Sequence, residues 1–427
     1  MSEILNIGLL GLGTVGGGVF KLLQQNNGVI AQKLGRSLNI SRILERDMDR
    51  VRQLGVDPQL VTTEPGLIFN DPEIDIIIEV IGGIGVAREF ILQALSCGKS
   101  VVTANKDLLA LHGRELFEAA RAHGTDLFFE ASVGGGIPII RPLKECLAGN
   151  RIHQVMGIVN GTTNYILTRM AQEGMGFQEA LAQAQCNGFA EADPANDIEG
   201  KDAAYKLAIL GGMAFRSRID PRSIHVEGIK SVTPEDIFYA RELGYVIKLL
   251  AVGEDLNGGL ALRVYPSLVP VTHPLAAVMY EFNAIFMVGD SVGEVMFYGR
   301  GAGALPTASA VLADAVEAAG CIKSKREDRV AEIGYQAKPV IPAEALTSRF
   351  YLRLQAIDRP GVFADLATSF GKEQVSLDMI IQKRSEGGIA EIVLVTHNVL
   401  EERFNRALSR IRELGTTKQV NSVFRVL

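Results

Sequence analysis

The sequence is poor in the residues that build metal centres and disulfide frameworks. Cys97, Cys146, Cys186 and Cys321 are the four cysteines in 427 residues. They are scattered without a CxxC pair, which excludes a disulfide scaffold and points to reduced thiols in a cytoplasmic protein. The six histidines show no HxxxH-type spacing, so no histidine metal site is expected. No basic run or aromatic-interleaved patch occurs, and the formal net charge is −6, which sets nucleic acid aside as a partner. No apolar run approaches ~20 residues, so no membrane span is expected. Met1-Ser2-Glu3 stands directly before an apolar strand, and this leaves no room for a signal peptide.

What is present is a long, apolar chain with a distinct order of patterns. Its length exceeds one hydrophobic core, so two to three domains are expected. Ile4 to Leu10 reads as a buried strand. It runs into Gly11-Leu12-Gly13-Thr14-Val15-Gly16 and then an apolar helix, a GxGxxG in strand–turn–helix context. Gly11 permits the turn, Gly13 lets a pyrophosphate approach the backbone, and Gly16 lets helix and strand pack closely. With Thr14 and Val15 at the helix N-terminus, this loop predicts a dinucleotide site. A second strand, Leu38 to Leu44, ends at Glu45-Arg46-Asp47. An acid there suits the ribose of NAD and an arginine the 2′-phosphate of NADP. Arg46 and Arg50 tilt the reading to NADP, while Glu45 or Asp47 permits NAD.

Further parallel strands are expected at Ile74 to Ile81, Val101 to Ala104 and Leu127 to Glu130. Ligands in such sheets sit at the carboxyl ends of strands, which is where Lys106 falls. After Glu130 comes a glycine-rich turn, Val133-Gly134-Gly135-Gly136-Ile137, either a hinge or a set of carbonyls for a hard cation. From about Ile139 the βα alternation stops, and mixed strands and helices suggest an α+β substrate domain. A second glycine-rich loop, Tyr298 to Thr307, precedes an Ala-rich helix, Ala308 to Ala319, able to return to the nucleotide domain and bring Gly303 near the cofactor. The last ~80 residues fit an independent small domain by size, with the order βαββαβ. The expected architecture is α/β. A Rossmann-type parallel sheet covers 1–136 and is completed by a helix at 305–320. A substrate and dimerisation domain covers 137–304, a linker 321–348, and a ferredoxin-like unit 349–427.

The most charged stretch runs from Gly188 through Glu191, Asp193, Asp197 and Asp202 to Lys206. Pro194 and Gly200 keep its first half irregular, and Asp202 and Lys206 share a face of the helix that follows. A loop with Glu191 folded over that face would surround a small polar molecule with carboxylates and an amine. An alkoxide formed by hydride reduction needs a nearby proton donor, a role open to Lys206.

Taken together, Gly11 to Gly18, Thr103-Ala104-Asn105-Lys106, Asn160 to Asn164 and Glu191 to Lys206 resemble homoserine dehydrogenase. Asp358-Arg359-Pro360-Gly361-Val362 and its surroundings resemble an ACT regulatory domain. The resemblance has the order of the monofunctional form, without a preceding kinase segment. It implies NAD(P)-dependent interconversion of L-aspartate 4-semialdehyde and L-homoserine in threonine, methionine and isoleucine biosynthesis. It implies Lys206 and Lys106 as catalytic groups, with Lys106 near both nicotinamide and substrate. Substrate binding falls to Glu191, Asp202 and Asp197, the last also ordering the loop together with Asp193. Gly188 and Gly303 join the cofactor-binding set. A monovalent cation, sodium in the family, would be held by Glu130 with backbone oxygens of Val133, Gly135 and Ile137. L-threonine is the expected inhibitor and a homodimer or homotetramer the expected assembly. Gly371 to Ser376 stands where family members often have a glycine-containing turn. A nucleotide- and amino-acid-sensing protein without turnover is the alternative; the intact Lys106, Glu191, Asp202 and Lys206 set argues against it.

Overall fold

A computed structural model describes residues 4–324 and 337–427. The chain divides into two compact units. The first comprises 1–152, 205–221 and 283–337, the second 153–204, 222–282 and 338–427.

The first unit is built on six strands, in sheet order Val61–Thr62, Ser37–Leu44, Ile4–Leu10, Ile74–Glu79, Ser100–Thr103 and Leu127–Phe128. Every adjacent pair is parallel. In chain numbering this is 3-2-1-4-5-6, the doubly wound dinucleotide-binding order. Ile76, Ile77 and Ile78 are fully buried, as expected of a central parallel strand covered on both faces. The helix Ala304–Ser324 returns to pack on the helix Thr14–Leu34. Among the described residues its Ala304–Ile322 stretch is long and apolar enough to cross a membrane. That corrects the expectation that no run approaches such a length. Here the apolarity is explained by core packing, because Ala308, Val311, Ala315, Ala318 and Ala319 are buried against Val19, Phe20 and Leu23. The helix runs through Ser324, so the start of the expected linker is helical; residues 325–336 lie outside the described residues.

The second unit carries a continuous sheet path through Ile152–Ile158, Tyr245–Leu256, Gly259–Pro270, Thr417–Val426, Thr347–Ile357, Ile389–Thr396 and Leu377–Glu386. The last four of these, with helices Val362–Lys372 and Glu401–Glu413, form the βαββαβ unit. Phe350 and Phe404 stack in its core with centroids 3.8 Å apart. Complete burial of a ring like Phe404 contributes roughly 1.5–3 kcal/mol. Size suggested an independent domain, but the sheet is not interrupted. Thr417–Val426 pairs antiparallel with Thr347–Ile357 and parallel with Gly259–Pro270, at Ser267–Arg425 and Leu268–Val426.

Two of the longer elements of this unit carry no expectation from the sequence. Pro234–Glu242 is a helix with a capping box, Thr233 and Asp236 satisfying each other's backbone amides. Thr-Pro-Glu-Asp carries that signal openly. Tyr245–Leu256 is a strand with a nearly continuous apolar run, which periodicity does not separate from a buried helix.

Candidate active site

Gly11 adopts φ +96°, and its N–H donates to the Leu44 carbonyl at 3.0 Å. A Cβ on Gly16 would lie 2.0 Å from the Gly11 carbonyl oxygen, so only glycine closes this turn onto the helix. A Cβ on Gly13 would meet nothing within 4 Å. The loop therefore leaves open space at the N-terminus of Thr14–Leu34, the place a pyrophosphate needs. Thr14 and Val15 open that helix. Gly303, at φ +116°, precedes the Ala304–Ser324 helix, whose Ala304 oxygen would lie 2.5 Å from a Cβ on Gly18. The second glycine-rich loop thus reaches the helix of the first.

The acids after the second strand are engaged locally. Glu45 accepts from the amides of Leu12, Arg46 and Asp47 at 2.7–2.9 Å. Asp47 caps the helix Met48–Leu54 through the amides of Asp49 and Arg50. Arg50 Nε donates to the Leu12 carbonyl at 3.1 Å. Arg46 is exposed.

A buried polar relay shapes the carboxyl ends of the next two strands. Thr103 Oγ1 donates to Glu79 at 2.7 Å, and Glu79 also accepts from the Ile81 amide at 2.9 Å. Burial pushes the Glu79 carboxyl up, against the hydrogen bonds that hold it down. Asn105 Nδ2 reaches the Gly83 carbonyl at 2.6 Å while its oxygen caps the helix Lys106–His123. Lys106 stands at the first position of that helix, 3.9 Å from Asp107. Glu79 was not singled out from sequence. An acid inside a run of isoleucines is the signal that marks it.

In the second unit one asparagine organises the polar run. Asn160 caps the helix Gly161–Glu173 with its oxygen. Its amide nitrogen donates to Asp197 at 2.7 Å and to Asp202 at 2.8 Å. Asp197 ends up on the short helix Ala195–Ile198, and Asp202 lies in the first turn of the helix Lys201–Phe215. Gly200, at φ +83°, makes the break between them. Helix capping is a local role that the Asn160-Gly161-Thr162 sequence carries; the fork that joins two distant acids is not. Glu191 lies outside this cluster, exposed, with its carbonyl accepting from Gln185. Asp193 caps the next turn through the Ala195 amide, and Gly188 is exposed at φ +74°. Lys206 is half-buried one turn after Asp202, on a helix whose Ala203, Ala204, Leu207 and Leu210 are buried.

Glu130 is buried and accepts from the amides of Ile139, Ile140 and Arg141 at 2.5–2.8 Å. Its own N–H donates to Asp314. Burial, with Glu130 alongside, pushes the Asp314 carboxyl well up. Between Glu130 and those amides the chain makes a tight turn, Gly134 and Gly135 both having positive φ. Val133, Gly135 and Ile137 are buried there. No cluster of three or more His, Cys, Asp or Glu suited to a metal occurs among the described residues.

Family models match three stretches of the chain: homoserine dehydrogenase NAD-binding domain over 11–130, homoserine dehydrogenase over 138–316, and ACT domain over 350–416. A homoserine dehydrogenase of Synechocystis is 47% identical, covering 99% of each chain. One from Bacillus subtilis is 41% identical over 99% of this chain and 98% of its own. The crystal structure of a homoserine dehydrogenase from Thiobacillus denitrificans superposes with a TM-score of 0.95 at 42% identity, covering 100% of this chain and 99% of that one. A hyperthermophilic archaeal homoserine dehydrogenase in complex with NADPH gives 0.63 at 27% identity, covering 74% and 98%. The chain belongs to the homoserine dehydrogenase family, oxidoreductases that act on a CH–OH group with NAD(P), and it carries a C-terminal ACT domain.

Proposed function

We propose that this enzyme interconverts L-aspartate 4-semialdehyde and L-homoserine with NADP as its preferred dinucleotide, Lys206 moving the proton at the alcohol oxygen. The observation that carries the reading is the Asn160 fork. It locks Asp202 in place one helical turn before a half-buried lysine. When bound, the nicotinamide supplies or accepts the hydride. The remaining work falls to side chains. Asp202 and Asp197, oriented by Asn160, accept from the substrate's ammonium and hydroxyl groups, with Glu191 completing the set. Lys206 gives a proton to the oxygen that turns from carbonyl to alkoxide and takes it back in the reverse direction. Lys106 adds a second positive charge at the strand end. Lys206→Ala is expected to lower kcat by about 10²–10⁴-fold with NADPH affinity unchanged; a variant of near-normal kcat would remove the assignment.

The preference for NADP rests on Glu45 and Asp47, whose oxygens are engaged by backbone amides, while Arg46 is exposed. Arg46→Ala should raise KM for NADPH and leave KM for NADH unchanged in steady-state assays. Gly11, Gly13, Thr14, Val15, Gly16, Gly188 and Gly303 complete the cofactor set.

Three further assignments belong to this reading. A sodium-sized cation is held by Glu130 with the carbonyl oxygens of Val133, Gly135 and Ile137, in a structural role. An ionised carboxylate offers about four acceptor sites, and Glu130 uses three on amides. L-Threonine inhibits through the ACT domain. The enzyme is a homodimer or homotetramer of the cytoplasm, in keeping with the exposed thiols of Cys97, Cys146 and Cys186.

A further inference from the structure

The angle between the two acids held by Asn160 is set by the hinge Glu199-Gly200, and a second segment grips that hinge from outside. The Ile229 N–H donates to the Ile198 carbonyl at 2.9 Å. Gly228 approaches so closely that a Cβ there would lie 2.2 Å from the Ile198 oxygen and 2.7 Å from Glu199 Cα. Lys230 donates to Glu199 at 2.8 Å, and Lys201 takes the other Glu199 oxygen at 2.8 Å. Val226 and Val264 would each sit 3.0–3.2 Å from a Cβ on Gly200.

The gripping segment is itself anchored at Glu227. Its amide donates to the Val264 carbonyl at 2.7 Å. Its carboxylate receives Arg425 at 2.6 Å and faces His225 Nε2 at 2.6 Å. Burial pushes this carboxyl up, yet His225 and Arg425 together hold it at about 2, so it stays an anion at any working pH. Arg425 comes from the C-terminal strand. It is fixed by a two-point contact to Glu401 at 2.7–2.8 Å, the pre-oriented guanidinium geometry that resists rotation.

We propose that Glu227 is a positioning residue for the substrate. Anchored by Arg425 and acting through Gly228 and Ile229, it fixes the Gly200 hinge and hence the spacing of Asp197 and Asp202. The inference rests on the reading that these two acids hold the substrate. Its effect belongs to binding, not to proton transfer.

Steady-state kinetics on the full-length enzyme test it. Glu227→Gln is expected to raise KM for homoserine about tenfold, with kcat and KM for NADP within about twofold. Glu227→Asp, which keeps the charge, should retain more of the affinity, and Lys230→Met should give a smaller rise. Gly228→Ala pushes directly on the hinge and should exceed Glu227→Gln; if it does not fold, the other three variants decide. A lower melting temperature with KM for homoserine unchanged in Glu227→Gln and Lys230→Met would overturn the proposal, as would equal increases in KM for both substrates. Asp202→Asn is measured alongside. If it raises KM for homoserine while Glu227→Gln does not, the positioning role alone fails. If Asp202→Asn leaves KM unchanged, the substrate reading fails and this inference with it.

Discussion

Lys248 is 2% exposed, on the strand Tyr245–Leu256, and its ammonium is surrounded by neutral acceptors. It donates to the Asn164 amide oxygen at 3.0 Å and to the Val278 carbonyl at 2.5 Å. Burial pulls its pKa down from 10.5 to about 7. In the unfolded chain the lysine keeps its proton to about 10.4. Below pH 7 both states are protonated and the full desolvation penalty applies. Between 7 and 10.5 the unfolded state binds the extra proton, so stability rises with pH, by at most about 1.4 kcal/mol per unit. Urea unfolding of the wild type between pH 7 and 9 should show this rise relative to Lys248→Met. Parallel curves for the two proteins would refute it. At this scale sequence and structure part ways instructively. The Asp202–Lys206 spacing is visible in the chain because a helix has a fixed period. The Asn160 fork is not visible, because it joins residues 37 and 42 positions apart.

Among the elements, the glycine loop separates two kinds of constraint that its motif alone does not distinguish. Gly18 is demanded by packing, since a side chain there meets the Ala304 carbonyl. Gly13 faces open space, so packing does not demand it, and we propose that the dinucleotide does. Gly18→Val should therefore lower stability by about 1–3 kcal/mol. Gly13→Ala should leave the melting temperature unchanged and weaken NADPH binding at least about tenfold. Calorimetry and fluorescence titration of the two variants would check both; a destabilised Gly13→Ala would contradict the assignment. In the first unit Ile4–Leu10 and Ile74–Glu79 are readable as apolar runs with glycines close behind them, whereas the two-residue strand Val61–Thr62 is too short to carry a pattern. The turn after Val362–Lys372 was harder to read. It is made by Gln374 at φ +58° in place of a glycine, with Gln374 Oε1 accepting from Arg403 at 2.6 Å.

Over the whole molecule, the second unit is held together by buried ion networks drawn from distant parts of the chain. Arg353 donates to Asp236 at 2.7 Å, Glu391 at 2.8 Å and Thr233 at 2.9 Å, while Ser422 donates to Asp236. Asp236 is fully buried. Arg353→Met leaves that charge uncompensated and is expected to cost about 3–5 kcal/mol, measurable by denaturant unfolding; a loss under 1 kcal/mol would show Asp236 otherwise satisfied. Arg263, Glu401 and Arg425 form a second such network with Ser348. Composition and periodicity carried the order of the domains but not this fusion, since charges far apart in sequence give no local signal of pairing. A chain cut near Ser348 would lose Glu401 and Arg425 and leave Arg263 without its buried partner. Such a truncation would therefore test stability before it tested regulation. The strand Thr417–Val426 also has a consequence in time. It lies between Gly259–Pro270 and Thr347–Ile357 in the sheet, yet a ribosome makes it after both. Neither neighbour can complete its pairing until these residues emerge, so the edge of Gly259–Pro270 waits through the synthesis of some 150 residues, roughly 10–30 seconds at ordinary elongation rates.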